Sequence, residues 1–525
     1  MNARMKPTSM LASLAVALLA SVTVHAQTSP QVPYASRAFT PAHGVLARSA
    51  GLPAQLANEE YVEALARLVY YWGYPAIDVM TRTSQWETLK QGPGAVLGVF
   101  PGGPVNTGGC LSDYMSPSQR MVVTPNNDTI YMSGFADLGR EPAVIQTPTT
   151  VPKEHYWTIQ IADVFTNVIH QIGSAAGTPG GKYLLVGPDW KGQKPAEFID
   201  VLRMPTNVGW VAGRSFAAHT AEAKAQALAV LGQMRLFPLS QNQPGQQPVD
   251  CQAIARNAVF PPGLTAEAIA ADPYAYRPEW VNPKTFWDDL EKMLLANSAV
   301  GPSDAAMADQ ARTLRKSNAS YKALLDRAAL AADASLHASS RYEQVGVDAG
   351  NGWQRQENGG VWGSDWFGRA QAAVIYIMVN DHRESIYFIR GTDAKGTLLE
   401  GRNTYTMTFA KDALPPMDRS RGGFWSLTMY DKDYFMLANS PNGRTNVGIV
   451  NLDANELKFA ADGSLTITIA HAQPADTVAR ANWLPAPNGQ FALIVRAYVP
   501  MQSVAEGSYK LPNVQRTAPA ATGGG

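Results

Sequence analysis

The feature that most constrains the fold is a two-residue period in the apolar positions. At 156–161, Trp157, Ile159 and Ile161 alternate with Tyr156, Thr158 and Gln160. Successive side chains of a strand point to opposite faces, so this run makes a sheet with one apolar and one polar face. Short runs at 121–123, 130–132, 144–145 and 183–186 read as further strands separated by turns. The pattern returns near the C-terminus at 385–389, 405–409, 424–430, 447–451, 464–469 and 491–499. Turn dipeptides Asp462-Gly463 and Asn488-Gly489 punctuate it. Between these blocks the period changes to that of helices, at 220–235, 283–297, 303–317, 321–336 and 365–378. The expected fold is mainly β with helical additions: two jelly-roll-like β-sandwich domains bridged by an α-helical segment.

An additional helix should precede the first sandwich. Asn58 is a capping side chain, and Glu59 and Glu60 suit the positive end of the helix dipole. Tyr61, Val62, Leu65, Leu68, Val69 and Trp72 then recur at helical spacing, and Gly73 and Pro75 are expected to end the run. The domain plan is a signal peptide at 1–26, a leader at 27–57 and a helix plus first sandwich at 58–214. A helical bridge at 215–350, a second sandwich at 351–516 and a disordered tail at 517–525 follow. The signal peptide rests on the basic start MNARMK, an apolar stretch at 10–24 and the small-residue site Val24-His25-Ala26. Periplasmic or secreted localisation is the expectation, with no transmembrane segment after signal removal.

The charge balance excludes some partners. There are 43 basic and 43 acidic residues, and only 16% of the chain is charged, so no basic face is available for nucleic acid. Twelve Trp and 20 Tyr suit large sheet cores, and they also suit clefts that stack sugars or aromatic groups. An oxidising compartment permits one bridge between the two cysteines, Cys110 and Cys251. Closing so long a loop is worth roughly 4–5 kcal/mol in the chain-entropy model.

The polar cluster most suggestive of a site is TPNNDTIY at 124–131. Asn126, Asn127, Asp128 and Tyr131 place donors and acceptors at a strand start, with Asp128 a candidate base; a capped turn is the plainer reading. A second group is Asp163, Asn167 and His170, where Asp163 could orient His170 for acid/base chemistry. The same side chains could hold a divalent metal, although the spacing is not diagnostic and nothing in the sequence requires a cofactor. Arg214 could clamp a substrate anion or form an interdomain ion pair. Trp425 is a candidate substrate-binding residue. Trp425 and Tyr430 must point to opposite faces of one strand, so one of them is core. Lone His155, His382 and His471 read as ordinary surface or core residues. There is no G-x-S-x-G, H-E-x-x-H or P-loop.

The motifs YYWGYP at 70–75, TPNNDTIY at 124–131, and 163–173 followed by GGKYL at 180–184 resemble the DUF1254 family. GRNTY at 401–405, FWSLTMY at 424–430 and NWLPAP at 482–487 resemble the DUF1214 family, which commonly follows it. The resemblance implies two jelly-roll-like β domains in a secreted bacterial protein and supplies no catalytic residues. Phe165 stands where Tyr is expected. The functional expectation is an exported hydrolase acting on a small polar or aromatic ester, amide or glycan, with Asp128, Asp163 and His170 as its acid/base residues. The alternative is a non-catalytic periplasmic ligand-binding or envelope-assembly protein. A homo-oligomer stays open.

Overall fold

The computed structural model describes residues 58–88, 102–115, 117, 122–256, 280–297, 301–341 and 344–517. The signal peptide, the leader and nearly all of the C-terminal tail lie outside the described residues, as does Met121. The strands in chain order are β1 (Gly109–Cys110), β2 (Thr129–Asp137), β3 (Ala143–Gln146), β4 (Trp157–Asp163) and β5 (Val168–Gly173). Then come β6 (Lys182–Val186), β7 (Asp200–Arg203), β8 (Val208–Phe216) and β9 (Arg235–Pro238). The second block holds β10 (Val347–Gly350), β11 (Trp353–Arg355), β12 (Ser385–Arg390), β13 (Tyr405–Phe409) and β14 (Phe424–Asp431). It continues with β15 (Asn446–Gly448), β16 (Leu465–Ala470), β17 (Trp483–Pro485), β18 (Phe491–Tyr498) and β19 (Val514–Arg516).

Each block forms two sheets. The first pairs β1-β2-β8-β4-β5 with β7-β6-β3-β9, and the second pairs β10-β11-β12-β18-β14-β15 with β17-β16-β13-β19. The inward faces of the second block bury Trp425, Leu427, Val495, Met407 and Ile467 in one core. The plan of two β-sandwiches with helical additions therefore holds. Two boundaries move. Strand β9 lies beyond residue 214 yet completes the small sheet of the first sandwich by pairing with β3. The hairpin β10–β11 straddles the expected boundary near residue 350 and belongs to the large sheet of the second. The run at 447–451 is part strand and part helix, since Ile449–Asp453 is helical.

Strand β8 has no counterpart in the sequence reading, although it lies in the middle of its sheet between β2 and β4. Its sequence VGWVAGRSF carries glycines at 209 and 213 and a charge at 214, all of which weaken a strand signal. It is nevertheless buried almost throughout, because one face meets the small sheet and the other meets the helices and the second sandwich.

The helical layer comprises α1 (Glu59–Thr88), α2 (Ala221–Leu231), α3 (Cys251–Arg256), α4 (Phe286–Ala296), α5 (Pro302–Ser317), α6 (Ala319–Ser339) and α7 (Trp366–Ile375). Asn58 caps α1 as expected, its Oδ1 accepting the Tyr61 N–H at 2.7 Å. The expected stop at Gly73 and Pro75 is corrected, because the helix continues through both to Thr88. An interior proline costs about 3 kcal/mol. Tertiary contacts offset it. Arg369 of α7 donates to the Trp72 carbonyl in the interrupted turn at 3.2 Å. Tyr70 bonds Asp333 at 2.7 Å, and Trp72 bonds Asp304 at 3.0 Å. Gly73 is there for closeness: a Cβ at this position would lie 3.2 Å from Phe286 Cζ.

Cys110 on β1 and Cys251 on α3 form a disulfide with Cα atoms 5.0 Å apart. The two large sheets turn their remaining faces toward each other, and 124–128 is fastened between them residue by residue. Thr124 N donates to Tyr434 O at 2.8 Å, and Thr124 O accepts from Arg496 Nη2 at 2.7 Å. Pro125 O accepts from the Tyr430 hydroxyl at 2.6 Å, and Asn126 Nδ2 donates to the Tyr498 hydroxyl at 2.9 Å. Asn127 Nδ2 donates to Thr445 Oγ1 at 3.0 Å, and Asp128 Oδ1 accepts from Asn446 Nδ2 at 2.6 Å. Every partner belongs to the second sandwich or its loops.

Two outcomes follow for stability. Asn126→Ala leaves the Tyr498 hydroxyl and the Asp128 N–H without buried partners, and chemical denaturation should show a loss of about 1–3 kcal/mol. Replacing both cysteines by serine should cost roughly 2–5 kcal/mol in the same measurement.

Candidate functional site

A cavity of about 50 Å³ lies in the seam between the two large sheets. The first sandwich lines it with Tyr131 of β2 and with Trp210, Ala212 and Arg214 of β8. The second contributes Tyr387 of β12 and Arg496 and Tyr498 of β18. Thr124, Pro125 and Asn126 form one wall, and Tyr376, Ile377 and Met378, just after α7, form another. Register explains the set. Tyr131 pairs with Arg214 across β2 and β8, and Tyr387 pairs with Arg496 across β12 and β18. Paired residues share a face.

Both arginines are almost fully buried, Arg214 at 7% exposure and Arg496 at 2%. Among the described residues neither forms an ion pair with a carboxylate. Arg214 spends Nη1 on Gln160 Oε1 at 2.9 Å and on Asn380 Oδ1 at 2.8 Å. Its Nε is sealed from solvent and makes no hydrogen bond. Arg496 donates to Thr428 Oγ1 at 3.3 Å and to the Thr124 carbonyl. Tyrosine faces partly support both charges: Arg214 lies 5.5 Å from the Tyr131 ring, and Arg496 lies 5.7 Å from Tyr387 and 5.4 Å from Tyr430. Burial opposes each guanidinium charge, yet the surrounding tyrosines hold both pKa values above the ordinary arginine value. Both side chains are cations at neutral pH. An isolated buried charge costs several kcal/mol.

Other signs of an incomplete site lie on the same walls. The Tyr376 hydroxyl is buried without a partner, and burial raises its pKa far above the usual phenol value. Thr124 and Ile377 are β-branched yet have φ of 45° and 71°. Left-handed backbone strains such residues and recurs at ligand sites.

The structure treats the residues singled out from the sequence differently. Asn126, Tyr131 and Arg214 line the cavity. Asn127 and Asp128 flank it, joined to the second sandwich. Asp128 is 2% exposed, its Oδ2 has no hydrogen-bond partner, and burial raises its pKa against the lowering effect of His219, Ser426 and Arg496.

Asp163, Asn167 and His170 do not line the cavity. Both carboxylate oxygens of Asp163 are taken by the Asn167 N–H at 2.8 Å and its Nδ2 at 2.9 Å, which is the capped turn. His170 Nε2 meets the Arg203 carbonyl at 3.0 Å instead of Asp163. The expected pairing of Asp163 with His170 is therefore not formed. Trp425 is also corrected: it points into the second sandwich against Phe409, and Tyr430 on the opposite face reaches the seam. Phe165 packs against Trp72 and under Arg369, where a hydroxyl would need a partner. His155 is a core residue bonded to Ser215 at 2.8 Å, and burial lowers its pKa to about 4.

Arg496 and Tyr376 were not singled out from the sequence. Arg496 had a signal. It is the lone charge in the apolar strand FALIVRAY, as Arg214 is in VGWVAGRSF. Tyr376 had none, because its role comes from α7 being packed against the seam. Among the described residues no group of three or more His, Cys, Asp or Glu is placed to hold a metal ion, and no helix is long and apolar enough to cross a membrane.

Comparison with known proteins matches this architecture. The family model described as protein of unknown function (DUF1254) matches residues 105–238, and that described as protein of unknown function (DUF1214) matches residues 384–502. The chain is similar to the crystal structure of the VPA0106 protein from Vibrio parahaemolyticus, with 19% identity and a TM-score of 0.56 over 87% of this chain and 100% of that one. A putative uncharacterized protein from Burkholderia cenocepacia aligns with 12% identity and a TM-score of 0.38 over 91% and 94% of the two chains. No curated protein matches. The chain thus carries a DUF1254 match on its first sandwich and a DUF1214 match on its second.

Proposed function

We propose that this is an exported ligand-binding protein whose interdomain cavity takes a small anion. The observation that carries the reading is the pair of buried guanidiniums, Arg214 and Arg496, lining one cavity with no carboxylate partner among the described residues. Buried charges are ordinarily paired, and an anionic ligand would supply the missing partner. The sealed Nε of Arg214 and the unpartnered Tyr376 hydroxyl would add donors. A volume of about 50 Å³ suits a small ion rather than a glycan. Export is supported by the basic and apolar N-terminal sequence and by the disulfide, which persists in oxidising compartments. Binding is favoured over hydrolysis because Asp163 and His170 bond elsewhere.

The test is thermal unfolding in the presence of acetate, phosphate and sulfate. An anion that binds the folded state should raise stability saturably, by about 2.7 kcal/mol at a hundredfold excess over Kd. Arg214→Gln and Arg496→Gln should each remove that response. Without ligand each variant should stay folded but lose about 1–3 kcal/mol, because it gives up the buried hydrogen bonds that Arg214 makes to Gln160 and Asn380 and that Arg496 makes to Thr428 and the Thr124 carbonyl. A response to anions that survives both substitutions would overturn the reading.

Asp128 gives a separate pH signature. Its folded-state pKa is raised, so between the ordinary aspartate value of 3.8 and the raised value the folded protein holds the extra proton. Stability from this group therefore falls as pH rises through that window. Asp128→Asn should flatten the fall and raise stability at neutral pH, as read from denaturation midpoints across pH.

A further inference from the structure

Resting on the anion-binding reading, we propose that the ligand is a short-chain monocarboxylate, its carboxylate on Arg214 and its hydrocarbon tail toward Trp210. Arg214 commits only Nη1 to the protein, to Gln160 and Asn380. Among the described residues its Nε and Nη2 make no hydrogen bond, and that edge of the guanidinium is the one a planar carboxylate pairs with bidentately.

The strand that carries Arg214 then changes character along one face. Arg214, Ala212 and Trp210 occupy alternate positions of β8 and all line the cavity. At about 3.3 Å per residue, the floor passes from a cation to an indole over roughly 13 Å. Trp210 offers only its ring, because its N–H is spent on Ser133 at 2.6 Å. Met115 and Met378 add sulfur and carbon to the lining. A tetrahedral oxyanion calls for donors on every side, whereas this floor has a charged end and an apolar end.

Size sets the tail. The cavity is small, about 50 Å³, which leaves room for only a short tail. The ligands to compare are carboxylates with one to three carbons beyond the carboxylate, from acetate to butyrate.

The test is calorimetric titration of the full protein with acetate, propionate, butyrate, propionamide, sulfate and phosphate. Each added methylene should tighten binding about fourfold until the cavity is full. Propionamide, which has the shape of propionate without its charge, should show no saturable binding. Arg214→Lys keeps the charge but loses the fork, and should weaken every carboxylate at least about tenfold. Ala212→Leu adds volume to the floor and should abolish butyrate binding before acetate binding. It also leaves Arg214 and Trp210 in place should a truncated Trp210 fail to fold. Sulfate or phosphate binding as tightly as butyrate would overturn the carboxylate assignment and leave the anion reading standing. Equal affinity for all three carboxylates would overturn the apolar-tail assignment. Absence of binding by every anion would overturn both readings.

Discussion

The structure depends on one unusual burial: two sheets press polar faces together. Thr158, Gln160 and Arg214 on one side, and Ser426, Thr428 and Arg496 on the other, are all buried. Polar surface taken from water must find partners or lose several kcal/mol per group. Here the partners come mainly from across the seam. Gln160 donates to Val379 O, Tyr156 donates to Glu384, and each residue of 124–128 bonds the second sandwich. Neither sandwich could expose this face and keep the same bonds. The two family domains are thus parts of one unit.

This arrangement also explains the cavity. Where both faces are polar and rigid, close packing fails at the widest side chains, and Arg214 and Arg496 meet there with the tyrosines. The strained backbone at Thr124 and Ile377 lies on the walls of this gap. Strain of this kind persists only where surrounding contacts hold it, and Thr124 is held on its N–H, its carbonyl and its hydroxyl, the last bonded to Ile375 O at 2.8 Å. Two buried guanidiniums without a carboxylate ion pair among the described residues thus line one gap, each over tyrosine rings.

Some of this was legible in the residues. The alternation at 156–161 gave a sheet with a polar face, and that face exists. What the alternation could not say is that the face is buried. TPNNDTIY stood out as polar groups in a fixed turn, and it is the segment joined to the second sandwich. The 163–170 group looked equally suggestive and proved to be a capped turn plus a histidine bonded to backbone. Local composition cannot separate these cases, because the same Asn and Asp side chains satisfy a turn or a distant strand equally well. Strand β8 was missed for a related reason: its glycines and its arginine are unfavourable locally and are stabilised only by the strands on either side.

By itself the sequence determined the elements that obey local rules. These are the two blocks of alternating strands, the helices between them, the capped start of α1 and the two domain matches carried by contiguous motifs. Only the tertiary structure decided that α1 runs through Gly73 and Pro75, that Arg496 joins Arg214, and that Trp425 is core while Tyr430 is not. Each of these outcomes turns on contacts between residues far apart in the chain. Their free energies outweigh local propensity, and no short window of sequence contains both partners.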